Sequence, residues 1–195
     1  MKKTNIAVLV SGGGTNLQAL IDAQKNGIIN SGEIKLVISN NPDAFALTRA
    51  KNADITTCVC NKKELGADFE DKLIKVLEQN NIQVIVLAGF MCILSEKFTS
   101  HFANRIINVH PSLIPSFCGK GYYGLKVHEK ALEYGVKVTG ATVHFVNEIP
   151  DGGKIIMQKA VEIKEGDTPE ILQKRVMEEA EWKILPLSLE KVCSE

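Results

Sequence analysis

Two side chains that could take part in acid–base chemistry lie close together in the segment INVHPSLIP. Asn108 and His110 flank Val109 at the end of a predicted strand that Pro111 stops, and the two-residue period of a strand puts both side chains on one face. A histidine can exchange a proton near neutral pH, and an asparagine can donate a hydrogen bond to a developing oxyanion. The pair indicates either a catalytic site or a polar anchor for the following loop.

A carboxylate that could complete such a site lies in the segment EIPDGGKI. Asp151 precedes Gly152 and Gly153, which is also a strong turn signal. If Asp151 faces His110, the carboxylate raises the pKa of the imidazole and fixes its orientation. The sequence separation leaves open whether Asp151 meets His110 or only forms a turn.

The third candidate site is the segment SGGGTNLQAL, which follows the apolar run IAVLV. Glycines between a strand and a helix allow backbone N–H groups and the helix dipole to converge on an anion. Thr15 or Asn16 could cap the helix and offer a side-chain hydrogen bond. The loop lacks the Gly-Lys-Ser/Thr of a Walker loop, and Leu17 occupies the third glycine position of a dinucleotide fingerprint. The segment is therefore either an anion site or a tight turn that needs positive φ.

Other reactive residue types fit simpler roles. His144 lies within a predicted strand and is assigned a structural role, whereas His128 is either a satisfied helix histidine or a wall of the pocket. The five cysteines form neither a CxxC motif nor a spaced Cys/His quartet, which argues against structural zinc. We interpret the cysteines as reduced thiols in a cytosolic protein.

These candidate residues need a scaffold, and apolar runs that alternate with helical patterns supply one. The runs predict strands over 5–10, 33–39, 55–60, 84–90 and 105–110. The segments between them predict helices, one of them opened by Pro42 and another capped by Ser95. Strands that are apolar on both faces favour a parallel sheet covered on both sides, with ligands at the carboxyl ends of its strands.

The pattern changes after residue 110. A loop rich in proline and glycine, PSLIPSFCGKGYYG, is followed by a predicted helix over 124–135. Two strands, 136–148 and 153–163, then form a hairpin-like pair around IPDGG, and one long helix runs from about 169 to 192. We expect an α/β fold in a single domain, 1–195.

Composition limits the possible partners. The chain has 195 residues, 45% of them apolar, and 23 basic residues balance 23 acidic ones. It therefore lacks the basic field of nucleic-acid binders. The N-terminus faintly resembles a secretory signal, but its apolar stretch is too short, and no window reaches membrane-spanning length. We expect a cytoplasmic protein that binds neither nucleic acid nor membranes.

The same residues, in this order, resemble the glycinamide ribonucleotide formyltransferases of purine synthesis. The matching segments cover nearly the whole chain: AVLVSGGGTNLQAL, VISNNPDAFALTRA, VLAGFMCIL, INVHPSLIPSF, GATVHFVNEIPDGGKII and RVMEEAEWKILPL. The resemblance implies a Rossmann-like formyltransferase fold, mainly a parallel sheet with helices on both faces and an antiparallel C-terminal extension. It also implies transfer of the formyl group of 10-formyltetrahydrofolate, a co-substrate, to the amine of glycinamide ribonucleotide, without a metal, by a monomer or homodimer.

The resemblance also assigns roles to individual positions. It implies a nucleotide-binding half, 1–110, and a folate-binding and catalytic half, 111–195. The ribose-binding acid matches Glu181 if one residue is inserted nearby, and Glu178 or Glu179 could compete. The catalytic residues match Asn108, His110 and Asp151. The phosphate loop matches Gly13, Gly14, Thr15, Asn16 and Leu17. The folate contacts match Met91, Cys92, Ile93, Leu94, Asn108, Asn147, Glu148, Ile149, Pro150 and Asp151.

Two positions depart from the family pattern. Many relatives carry arginine where Cys92 stands, so a charged folate contact is missing, and Gly66 replaces a basic residue that is common after the third strand. Both departures concern affinity more than chemistry.

The implied mechanism is direct attack of the amine on the formyl carbon through a tetrahedral intermediate. Asn108 and protonated His110 would stabilise the oxyanion, and Asp151 would keep His110 charged and help to relay the proton. Three rival functions remain: formyl transfer to initiator methionyl-tRNA, hydrolysis of formyl-folate, and a non-catalytic nucleotide-binding regulator. The first two classes carry an additional domain that 195 residues would not accommodate.

Overall fold

A computed structural model describes residues 3–195, in which seven strands form one sheet. The first two residues of the expected domain lie outside the described residues. The strands are β1 (Thr4–Val10), β2 (Gly32–Ser39), β3 (Thr56–Val59), β4 (Val84–Leu87), β5 (Ile106–His110), β6 (Val138–Phe145) and β7 (Ile155–Glu162). The helices are α1 (Thr15–Lys25), α2 (Phe45–Lys51), α3 (Lys62–Leu65), α4 (Phe69–Gln79), α5 (Glu96–His101), α6 (Leu125–Tyr134), α7 (Pro169–Val176) and α8 (Trp182–Ser194).

Strands β1 to β5 are parallel, whereas β6 runs antiparallel to β5 and β7 runs antiparallel to β6. The predicted fold class, a mainly parallel sheet with an antiparallel C-terminal extension, is confirmed. The strand order is β3-β2-β1-β4-β5-β6-β7, and it reverses between β1 and β4, because β1 lies between β2 and β4. Ligands of open α/β sheets bind beyond the carboxyl ends of the strands at such a reversal.

The sheet is buried on both faces. Ile6, Val8 and Val10 of β1 face a core that also contains residues of α1, α7 and α8. Ala7 and Leu9 point the other way, into a second core with residues of α4 and α5. Side chains of a strand alternate between its faces. An uninterrupted apolar run therefore fills both cores, and the run IAVLV requires this arrangement.

Three local predictions need correction. The helix predicted to open at Pro42 begins at Phe45, because residues 41–44 form a turn in which Asn41 Oδ1 accepts a hydrogen bond from the N–H of Asp43 at 3.0 Å. The short helix α3 was not predicted. The single long helix over 169–192 is wrong, because a π-helical turn, Met177–Glu181, separates α7 from α8.

A buried polar network fixes the loop that follows β5. The hydroxyl of Thr142, fully buried on β6, donates to the carbonyl oxygen of Ser112 at 2.7 Å and accepts from the N–H of Ile114 at 3.1 Å. The hydroxyl of Ser112 donates in turn to the carbonyl oxygen of Ser116 at 2.5 Å. Buried polar groups are costly unless they are paired. This network therefore holds the first part of the loop against the sheet.

Gly14 is the position in the glycine loop where no other residue fits. Its φ is +72°, and an added Cβ would lie 2.6 Å from Ala46 Cβ and 2.8 Å from Ala46 Cα. An added Cβ at Gly13 would meet nothing within 4 Å, and Gly13 has no positive φ.

Replacing these two glycines should therefore have unequal effects on stability. Gly14→Ala should lower the free energy of unfolding by at least about 2 kcal/mol, because left-handed backbone strain adds to the overlap with Ala46. Gly13→Ala, the matched control, should stay within about 0.5 kcal/mol of wild type. Denaturant unfolding of both variants measures the difference, and equal losses would contradict the steric argument.

Candidate active site

The three predicted catalytic side chains meet on one face of β5 and β6. His110 Nδ1 lies 3.5 Å from Asp151 Oδ2. His144 Nε2 lies 3.6 Å from Asp151 Oδ1 and 3.3 Å from Asn108 Nδ2. One carboxylate therefore faces two imidazoles, and the amide joins the second of them. The cluster contains one more ionisable ring than the sequence predicted.

Asp151 reaches this face because the turn between β6 and β7 folds back tightly. Asp151 has a φ of +58°, and the N–H of Gly152 donates to the carbonyl oxygen of Ile149 at 2.9 Å. An added Cβ at Gly153 would lie 1.8 Å from the carbonyl oxygen of Phe145, so the turn can pack against β6 only with glycine there. Asp151 thus forms the turn and also faces His110.

His110 lies between a carbonyl oxygen and the carboxylate of Asp151. The residue is 4% exposed, and its Nε2–H donates to the carbonyl oxygen of Phe117 at 2.8 Å. Burial lowers the pKa of His110 below its ordinary value of 6.5, and Asp151 opposes that shift without cancelling it. Asp151 does raise the pKa of His110, as expected, but burial outweighs this effect, so the expectation that the ring stays charged is wrong. The ring is mainly neutral at neutral pH, and Nδ1, beside Asp151, is the nitrogen that can take up a proton.

Asp151 is ionised. Burial alone would raise its pKa, but contact with His144, the charge of His110 and a backbone donor more than offset burial and lower the pKa below 3.8. The backbone donor is the N–H of Gly119, which lies 2.8 Å from Asp151 Oδ2. The loop after β5 therefore contributes to the electrostatics of the site.

His144 is the site residue that sequence reasoning missed, because it was assigned a structural role. It lies directly opposite Asn108 in the antiparallel register of β5 and β6. Its Nδ1–H donates to the carbonyl oxygen of Phe145 at 2.8 Å, which leaves the Nε2 lone pair to accept from Asn108 Nδ2. This contact fixes the Asn108 amide and leaves its second N–H for another acceptor. Only knowledge of the strand pairing could have revealed the role.

The glycine loop turns its carbonyl groups toward α2. Gly12 O accepts from the N–H of Ala46 at 3.0 Å, and Gly13 O accepts from Arg49 Nε at 2.8 Å. In a trans peptide the N–H points opposite to the carbonyl group. The N–H groups of Gly13 and Gly14 consequently point away from α2, at the N-terminus of α1. The loop can therefore hold an anion.

The predicted caps of α1 are wrong. The N-cap is Gly14, and no side chain caps the helix. Asn16 instead donates from Nδ2 to Glu181 Oε2 at 2.7 Å, and the hydroxyl of Thr15 lies 3.9 Å from the sulfur of Met177. Leu17 is fully buried, so only its backbone N–H can serve a ligand.

Glu181 lies beside the glycine loop, whereas Glu178 and Glu179 are exposed. The π-helical turn that ends at Glu181 directs this carboxyl inward, where it is 6% exposed. Burial raises its pKa to about 7, and the hydrogen bond from Asn16 only partly opposes the shift. Glu181 is therefore a buried carboxyl that can lose or bind a proton near neutral pH.

Apart from Asn108, the predicted folate contacts lie in two segments that are partly exposed. In the first, the N–H of Met91 donates to Ser11 Oγ at 2.8 Å, which ties the segment to the glycine loop. Cys92 accepts from Asn40 Nδ2 at 2.9 Å, Ile93 is exposed, and the Leu94 side chain is buried in the core. The second segment, 147–151, contains the exposed Ile149, and Asn147 Oδ1 accepts from its N–H at 3.1 Å. Glu148 and Pro150 are also exposed.

Across residues 3–195, no group of three or more His, Cys, Asp and Glu side chains could hold a metal ion. Nor does any helix in that range combine the length and the apolar character needed to cross a membrane.

Comparison with known proteins identifies the family to which this chain belongs. The formyl transferase family matches residues 4–189, which is nearly the whole chain. The chain therefore belongs to the formyl transferase family. The resemblance drawn from the sequence is confirmed at this level.

Individual members of this family resemble the chain over most of its length. The phosphoribosylglycinamide formyltransferase of Haemophilus influenzae is 46% identical over 96% of this chain and 85% of its own length. The trifunctional purine biosynthetic protein adenosine-3 of Homo sapiens is 46% identical over 99% of this chain, which spans 19% of that protein. The chain thus spans about a fifth of the length of the first curated relatives it matches. A crystal structure of glycinamide ribonucleotide transformylase 1 from Symbiobacterium toebii superposes with a TM-score of 0.91 at 39% identity, covering 98% of this chain and 88% of that one.

Glu181 should make stability depend on pH. The unfolded carboxyl loses its proton near its ordinary pKa of 4.5, whereas the folded one keeps it to about 7. The folded state therefore binds more protons in this window, and stability falls as pH rises through it. Relative to Glu181→Gln, wild type should lose up to roughly 3 kcal/mol of unfolding free energy between about pH 4.5 and pH 7.5.

The measurement is denaturant unfolding of wild type and Glu181→Gln across that range. Glu178→Gln, which changes an exposed carboxylate in the same turn, is the matched control. Parallel pH profiles for wild type and Glu181→Gln would show that the buried carboxyl does not hold a proton in the folded state.

Proposed function

We propose that this chain transfers the formyl group of 10-formyltetrahydrofolate to the amine of glycinamide ribonucleotide in purine biosynthesis. The observation that carries the proposal is the cluster of Asn108, His110 and Asp151 on a chain whose relatives bear the name of this activity. An amide donor, a neutral imidazole and an ionised carboxylate are the groups that acyl transfer between two nitrogens needs.

The proposal divides the chain into two functional halves. Residues 1–110 would bind the ribonucleotide, with its phosphate on the N–H groups of residues 13–17. Glu181, once deprotonated, would accept hydrogen bonds from the ribose hydroxyls. Residues 111–195 would complete the folate and catalytic site, together with residues 91–94 and Asn108. Binding energy from the phosphate and ribose would then hold the amine in place for attack.

Asn108, His110 and Asp151 each have a step in the proposed reaction. The amine attacks the formyl carbon, a C–N bond forms, and the carbonyl electrons move to the oxygen. The free N–H of Asn108 donates to that oxyanion. His110 takes the ammonium proton at Nδ1, where Asp151 stabilises the resulting charge, and returns it, directly or through water, to the folate nitrogen N10 as the old C–N bond breaks. The proton lost by one nitrogen is gained by the other, and no covalent enzyme intermediate forms.

The burial of His110 suits this order of events. A ring that is neutral before attack can accept a proton, whereas a permanently charged ring could not. Asp151 cannot keep the ring charged before the reaction, but it is placed to stabilise the charge that develops during it.

The direct test is to mix the chain with 10-formyltetrahydrofolate and one acceptor at a time, and to follow the released tetrahydrofolate by absorbance. Glycinamide ribonucleotide, initiator methionyl-tRNA and water alone are the three acceptors. Turnover only with the ribonucleotide, together with a formylated product, supports the proposal. Turnover with the tRNA or with water alone assigns another reaction to the same cluster.

The role of Asp151 predicts a large loss of activity on a neutral replacement. Asp151→Asn should lower kcat by roughly 10³–10⁴-fold, because it removes the negative charge that stabilises His110 once Nδ1 has taken up a proton. The phosphate loop should be unaffected, so binding of ribose 5-phosphate should be retained.

Asp54→Asn is the matched control, because Asp54 is exposed and also has a positive φ, of 56°. Asparagine tolerates that backbone region, so the control should keep wild-type turnover. If Asp151→Asn also keeps near-normal turnover, the role given to the carboxylate is wrong.

A further inference from the structure

Arg49 is a cation at the glycine loop to which neither the catalytic cluster nor the family pattern assigns a role. We propose that Arg49 is a positioning residue, which holds the glycine loop in its anion-binding shape and adds positive charge behind the loop, on the side opposite the bound phosphate. The inference rests on the proposed function only in taking the phosphate to be that of a ribonucleotide.

The guanidinium connects α2 to the glycine loop and to α1. Its Nε donates to Gly13 O at 2.8 Å, and its Nη1 donates to Gln18 Oε1, on α1, at 3.1 Å. Its Cδ lies 3.5 Å from the position that a Cβ of Gly14 would occupy. The Phe45 ring packs 5.0 Å from the guanidinium carbon, which restrains the side chain from the other side. Arg49 is therefore fixed at several points around the loop.

The hydrogen bond to Gly13 O determines where the next N–H points. Gly13 and Gly14 share one peptide plane, and glycines on both sides give this plane unusual freedom to rotate. Rotation would turn the carbonyl oxygen toward the anion and remove a donor. The Arg49 contact opposes this rotation, so it maintains the orientation of the Gly14 N–H without touching the anion itself.

The positive charge of Arg49 is not neutralised by an acidic side chain of the described residues. Within residues 3–195, none of the ion pairs shorter than 4.0 Å includes Arg49. It lines a cavity of about 180 Å³ together with Thr15, Gln18 and Asp22, and the other acid near the loop, Glu181, is bonded to Asn16 instead. A positive charge at a helix N-terminus reinforces the dipole that attracts an anion.

Three variants separate the contribution of the Arg49 charge from that of its hydrogen bonds. Arg49→Met removes the charge and the hydrogen bonds. Arg49→Lys keeps the charge but lacks the planar guanidinium, which donates to Gly13 and Gln18 at the same time. Lys51→Met removes an exposed charge from the same helix and is the matched control.

We expect Arg49→Met to raise the KM for glycinamide ribonucleotide at least tenfold, with kcat and the KM for 10-formyltetrahydrofolate within threefold of wild type. Arg49→Lys should recover only part of the loss, and Lys51→Met should match wild type. Calorimetric titration with ribose 5-phosphate and with inorganic phosphate should show the same ranking of affinities without any turnover.

The outcomes are distinct. Arg49→Met that binds ribose 5-phosphate within twofold of wild type would overturn the inference. So would a lower thermal midpoint with KM raised equally for both substrates, because that pattern indicates a merely structural residue. If wild type shows no turnover but Arg49→Met still loses ribose 5-phosphate binding, the proposed function fails and the role of Arg49 stands.

Discussion

The antiparallel pairing of β6 with β5 is the constraint on which the site depends. It places His144 opposite Asn108, and the antiparallel pairing of β7 with β6 then lets the chain turn back so that Asp151 folds over the same face. A further parallel strand would need a crossover of a dozen or more residues and would not allow this short return. Gly153 is part of the same constraint, since the carbonyl oxygen of Phe145 occupies the space of its missing side chain.

The electrostatics of the cluster follow from crowding ionisable groups where water is scarce. A buried imidazole resists charge, and a buried carboxylate keeps its charge only with enough donors around it. Asp151 accepts a hydrogen bond from the N–H of Gly119 and lies between two imidazoles, while His110 has a carbonyl oxygen on one side and the carboxylate on the other. The arrangement holds the negative charge in place and allows a positive charge to appear only when a proton arrives.

Much of the fold could be predicted from the sequence, because the apolar runs of β1 and β4 and the period of α4 are local signals. The start of α2 and the π-helical turn could not, since an asparagine side chain at residue 41 and the packing of α8 decide them. The neighbouring pair Asn108 and His110 was visible from spacing alone. His144 and Arg49 were not, because their roles depend on strand register and on contacts between α2 and a distant loop.

The π-helical turn, Met177–Glu181, has a consequence for how the chain can change length. The resemblance implies one inserted residue near Glu181, and a π-helical turn, whose hydrogen bonds run from i to i+5, accommodates one residue more than an α-helical turn. Each residue advances an ordinary helix by about 100°, since 3.6 residues make a turn. Deleting one residue here would therefore rotate either Glu181 away from Asn16 or the apolar side chains of α8 out of the core.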